Sequence, residues 1–116
     1  MPVNGAHTIV YADDADAARA FFRDVLEWPY VDDGGGWLIF TQPPSELGVH
    51  PTGADVTAGH ELFLLCDDVE ATVADLRTKG VEFEGEITDQ GWGRLITMLV
   101  PGAGKMGLYQ PAHGRP

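Results

Sequence analysis

Among the histidines and carboxylates of this 116-residue chain, which can do coordination or acid–base chemistry, two fall in a pattern. His7 lies in a β-rich run, HTIVYADDADAARAFFRDVL, and Glu61 opens a second, ELFLLCDDVEATVADLRTKGVEF. Sliding the chain by 54 positions, from His7 to Glu61, lays one run over the other. Asp67 and Asp68 then fall on Asp13 and Asp14, Ala71 on Ala17, Ala74 on Ala20 and Arg77 on Arg23. A histidine and a carboxylate thus hold equivalent places in two copies of one pattern. His7 can serve as a ligand, a general base or simply a hydrogen-bonded histidine. Glu61 is the candidate catalytic base if it faces a cavity, because desolvation disfavours the charged carboxylate; otherwise it is a solvated strand end. His60 is adjacent and points to the opposite face. Trp37 and Trp92 each follow a glycine at similar places in the two copies. They either close the core or wall a pocket for a planar or apolar ligand. Cys66, the single cysteine, precludes an internal disulfide and ends an apolar strand, as a buried small hydrophobe would.

The elements that must position these residues repeat in the same order. Val3 to Ala12 alternates as a strand, with His7, Ile9 and Tyr11 on one face. Asp13 or Asp14 caps a helix whose Ala18, Phe21, Phe22, Val25 and Leu26 form an apolar stripe. Strands are expected over Trp28–Val31, Trp37–Thr41 and Glu46–His50, with a glycine turn at Asp33–Gly36. The second copy predicts a strand over Glu61–Cys66 and a helix capped by Asp67, with Glu70 at capping-box spacing. Val69, Val73 and Leu76 form the buried stripe of that helix, and Gly80 is its left-handed C-terminal cap. Strands follow over Val81–Ile87, Arg94–Val100 and Lys105–Tyr109. The endings also match, ELGVHP against KMGLYQP, so that Gly48 corresponds to Gly107 and His50 to Tyr109. The result is one domain: a first βαβββ module over 3–51, a linker over 52–59, a second module over 60–110 and a tail over 111–116. Neither module can bury its faces alone, so they must pack on each other or on a second chain.

Composition narrows the function. Hydrophobic residues make up 44% of the chain, enough for one modest core. The formal net charge is −11, which repels phosphate backbones and anionic lipid, so neither nucleic acid nor membrane is an expected partner. No apolar run reaches membrane-spanning length, and Met1–Ala6 has no basic leader, so a cytoplasmic location is the default expectation. The chain carries no phosphate loop, no nucleotide fingerprint and no Ser-His-Asp constellation.

The two strand-into-helix openings and the ending LVPGAGKMGLYQP resemble the vicinal oxygen chelate superfamily. That superfamily includes glyoxalase I, extradiol dioxygenases, methylmalonyl-CoA epimerase, fosfomycin-resistance enzymes and bleomycin-binding proteins. The resemblance covers almost the whole chain and is strongest toward short bacterial glyoxalase-like proteins of unassigned function. It implies an α+β fold of two βαβββ modules whose curved sheets form a concave cup, completed across a homodimer. It also implies a site for one divalent metal ion (Zn, Ni, Mn or Fe) or a metal-free cup. The family's four ligand positions fall on His7, Gly48, Glu61 and Gly107, and the two glycines have no side chain to offer. His50 and Tyr109 each lie two residues beyond a glycine on the same strand face. His7, His50 and Glu61 would make a two-histidine, one-carboxylate set suited to such ions, although a two-residue shift along a strand is about 7 Å. Two functions follow from the resemblance. One is a metal-dependent lyase, isomerase or dioxygenase acting on a small oxygen-rich molecule, with Glu61 as base. The alternative is a metal-free drug- or metabolite-binding protein in which Gly48 and Gly107 open the cup and His7, Glu61, Trp37, Trp92 and Tyr109 line it, with His50 as a further ligand contact. An interaction domain without a ligand is the third reading.

Overall fold

A computed structural model of the chain describes residues 7–49, 51–55 and 57–114. Its elements are helix α1 (Ala15–Ala20), continued by a wider π-helical turn over Phe21–Val25; strands β1 (Tyr30–Asp32), β2 (Leu38–Phe40) and β3 (Phe63–Leu65); helix α2 (Val69–Thr78); and strands β4 (Glu82–Asp89), β5 (Gly93–Val100) and β6 (Gly104–Pro111). The fold is α+β. The second copy of the repeat forms a complete βαβββ unit. Its sheet has the order β3-β6-β5-β4, with β3 parallel to β6 and the other pairs antiparallel.

Local chemistry explains the elements. Asp14 caps α1 by accepting the Ala17 N–H at 3.0 Å, and Asp68 caps α2 by accepting the Ala71 N–H at 3.0 Å. The cap of α2 is therefore Asp68 rather than Asp67. Glu70 does not close a capping box; its carboxylate pairs with Arg94 on β5. The first N–H of α2, that of Val69, is instead taken by Gln110 Oε1 from β6 at 2.9 Å. At the other end Gly80 adopts φ +85°, and Val81 N–H returns to Leu76 C=O at 3.0 Å, the left-handed cap expected there. The first helix ends on Glu27 at φ 57°, a conformation that costs a residue with a Cβ about 1–2 kcal/mol.

Both helices cover one face of the sheet. Phe21 and Phe22 share a buried cluster with Val69, Val73 and Leu76 of α2 and with Ile96, Met98, Val100, Met106 and Leu108 of the sheet. Alternation along β5 and β6 puts these even-numbered residues beneath the helices and the odd-numbered ones on the opposite, open face. The start of α1 is docked on the β5–β6 turn. Asp14 N–H donates to Gly102 C=O at 3.0 Å, and a Cβ on Gly102 would collide with the Asp14 backbone.

The first copy departs from expectation. Its β1–β2 hairpin forms, with Tyr30 opposite Phe40, and rests on the core through Phe22, which stacks on Trp28 and Phe40. Residues 7–12 and 46–49, the described parts of the strands expected over Val3–Ala12 and Glu46–His50, form no strand. An extended segment becomes a strand only with a ladder partner, and among the described residues no strand pairs with these two. Their apolar side chains stand in solvent: Tyr11 is 87% exposed, and Leu47 and Val49 each 92%. The radius of gyration is 15.2 Å, against about 13 Å for a compact chain of this length.

Candidate functional site

The open face of the second module's sheet is built from Phe63 and Leu65 on β3, Lys105, Gly107 and Tyr109 on β6, and Gly93, Leu95, Thr97 and Leu99 on β5. An aromatic group forms at one end. The Tyr109 ring lies 6.0 Å from Phe63, 5.4 Å from Trp92 and 6.3 Å from His113, centroid to centroid. The Tyr109 hydroxyl donates to the Trp92 carbonyl at 3.3 Å. His113 in turn meets Glu46, Nε2 to Oε2 3.1 Å, which ties the segment after β2 to this end of the sheet.

Two glycines shape this surface. The Tyr109 ring occupies the room that a side chain on Gly93 would need, and the Phe63 ring occupies the room above Gly107. Gly107 therefore leaves no empty hollow in the sheet, contrary to the sequence reading. Its repeat mate Gly48 is exposed with open space around it. At the other end of the face, a groove of ≈ 380 Å³ runs along β4 and β5 beside the irregularity between Glu84 and Thr88. Glu84, Glu86, Thr88, Leu95, Thr97 and Lys105 line it, and Lys105 Nζ pairs with Glu84 Oε2 at 2.8 Å. The ionisable groups with resolved shifts lie elsewhere. Hydrogen bonding to Glu70 raises Arg94, and the exposed Arg23–Asp24 pair raises the arginine and lowers the aspartate through their mutual hydrogen bond.

The residues singled out from sequence are distributed unevenly. Trp92 and Tyr109 meet on the open face. Trp37 is 61% exposed and sits under the Arg19 guanidinium, 5.1 Å from ring centroid to Cζ. His7 and Glu61 are both exposed and outside any strand. His50 lies outside the described residues. Phe63, His113 and Glu46 are additions to the sequence-derived set. None of the three had a signal in the sequence; the register that sets Phe63 beside Gly107 emerges only from the β3–β6 pairing.

Among the described residues, which exclude His50, no three His, Cys, Asp or Glu side chains converge as a resident metal ion would require. The place where the resemblance puts a last-strand carboxylate is covered by the Phe63 ring.

A family model described as Glyoxalase/Bleomycin resistance protein/Dioxygenase superfamily matches residues 6–107, and the chain belongs to that superfamily. Among solved structures it is similar to TnmS3, an antibiotic binding protein from Streptomyces sp. CB03234, at 25% identity and TM-score 0.67, over 97% of this chain and 99% of that one. It is also similar to a lactoylglutathione lyase from Agrobacterium tumefaciens (19% identity, TM-score 0.63, 94% and 95% coverage). A superfamily member from Sphaerobacter thermophilus DSM 20745 is similar at 17% identity and TM-score 0.65 over 94% and 98%. No curated protein matches.

Proposed function

We propose that this protein is a metal-independent small-molecule-binding member of its superfamily, and that its ligand lies on the open face of the second module. The observation that carries the reading is the aromatic group of Phe63, Tyr109 and Trp92 on a sheet face that no helix covers. Ring faces and edges offer large contact area at low conformational cost, as a binding surface requires. The antibiotic-binding activity in the name of TnmS3 supports the class of function, and the lyase neighbour shows that the same fold also serves catalysis.

In this reading a second copy of the chain completes the site. The exposed apolar residues of 7–12 and 46–49 are the segments that then gain ladder partners. His7, Glu61, His50 and Trp37 act as rim contacts brought to the cup by that assembly. Catalysis by Glu61 forms no part of this reading, because no geometry aims its exposed carboxylate at a reacting atom.

The test is a fluorescence titration with two planar probes, 1-naphthol and 9-aminoacridine. The expected result is saturable binding that survives EDTA and weakens about tenfold in Tyr109→Ala. Absence of binding by both probes, or identical binding in Tyr109→Ala, would overturn the assignment.

A further inference from the structure

We propose that Phe63 is the specificity-determining residue of the open face, acting with Gly107 as a steric pair that bars any side chain, and so any coordinating carboxylate, from position 107. The inference rests on the reading of this face as the site.

Phe63 and Gly107 stand directly opposite each other in the parallel β3–β6 register. Met106 and Leu108 are buried under the helices, so residue 107 faces the open side, as Phe63 does. A Cβ built on Gly107 would lie well inside contact distance of Phe63 Cδ1 and Cε1, with Cγ at 3.3 Å. The obstruction therefore includes the root of the ring and not its far edge alone. Tyr109 packs beside Phe63, so the ring cannot yield without disturbing the aromatic group. On the neighbouring strands the ring of Tyr109 covers Gly93, where the Gln110 backbone carbonyl adds a second obstruction. Two rings are thus laid across two glycines, and the face presents aromatic carbon where an upright side chain would otherwise stand. A glycine in a strand interior weakens the strand unless something approaches it closely, and here each glycine has its ring. The chemistry selected is contact with a flat, unsaturated ligand in place of chelation of two oxygens through an ion.

A double-mutant cycle tests the pair. Gly107→Ala should lower Tm by several degrees in the wild-type background. In a Phe63→Ala background the same change should cost nothing or raise Tm, since alanine is intrinsically better than glycine in a strand. If Phe63→Ala fails to fold, Phe63→Leu serves as the background, with partial relief expected. Equal losses in both backgrounds would overturn the pair. The binding arm uses 9-aminoacridine, whose affinity should fall three- to tenfold in Phe63→Leu; an unchanged affinity would remove Phe63 from specificity. The metal arm uses Zn²⁺ alone. One tightly held ion per wild-type chain, lost in His7→Ala, would overturn the proposal. Should neither planar probe bind the wild type, the assignment of the site fails, and the Tm cycle still decides whether the steric pair exists.

Discussion

At the scale of single residues, the decisive relations are between rings and glycines. Glycine in a strand reads in sequence as a bend or an opening. The structure gives Gly93 and Gly107 a different role, as flat ground on which Tyr109 and Phe63 lie. Replacing Gly93 by alanine should force the Tyr109 ring off its place and cost about 1–3 kcal/mol, the usual range for overpacking. Thermal denaturation measures the loss, and a Tyr109→Ala background should relieve only part of it, because the Gln110 backbone carbonyl also stands 2.8 Å from that Cβ. This relation was not legible in the sequence, because the internal repeat aligns positions and says nothing of where a neighbouring ring leans. The match of His7 to Glu61 has the same limit. Equivalent places in a repeat align positions without stating a contact, and both residues are exposed here.

At the scale of elements, much was legible. Aspartate caps, the apolar stripes of both helices and Gly80 each have a local cause, so local sequence sufficed to place them. The missed detail is the contribution of a distant strand. Gln110 on β6 takes the Val69 N–H and so finishes the cap that Asp68 begins. Asp68→Ala should cost about 1 kcal/mol through loss of the cap. Gln110→Ala should cost about 1–3 kcal/mol by leaving a part-buried N–H without its acceptor. Both are read from chemical denaturation at constant slope. Glu70 illustrates the opposite error: its spacing suits a capping box only from Asp67, but the cap is Asp68, and the Glu70 carboxylate pairs with Arg94 on β5.

At the scale of the whole molecule, the two copies of the repeat are unequal. The second closes into a four-stranded sheet under two helices. The first contributes its helix and a hairpin and leaves two strand-like segments in solvent. Alternation shows that a segment is fit to pair; it does not name the partner, and none of the described strands pairs with these segments. Leu47, Val49, Ile9, Tyr11, Val31 and Trp37 together are more exposed apolar side chain than an isolated soluble chain ordinarily leaves in contact with water. Light scattering should therefore give twice the 12.5 kDa chain mass. Charged substitutions at Leu47 and Val49 should shift the population toward the single chain. A single-chain mass for the unmodified protein would leave these residues without their cover and contradict the proposed assembly. No helix among the described residues is long and apolar enough to cross a membrane, so a bilayer-spanning helix does not account for this surface.

The most direct measurement of the central claim is the amide NMR footprint of 9-aminoacridine on the isotope-labelled protein with EDTA present. The account predicts saturable shifts concentrated at Phe63, Trp92, Gly93, Leu95 and Tyr109. Shifts confined to surfaces away from these strands, or a footprint that appears only after Zn²⁺ replaces EDTA, would contradict it.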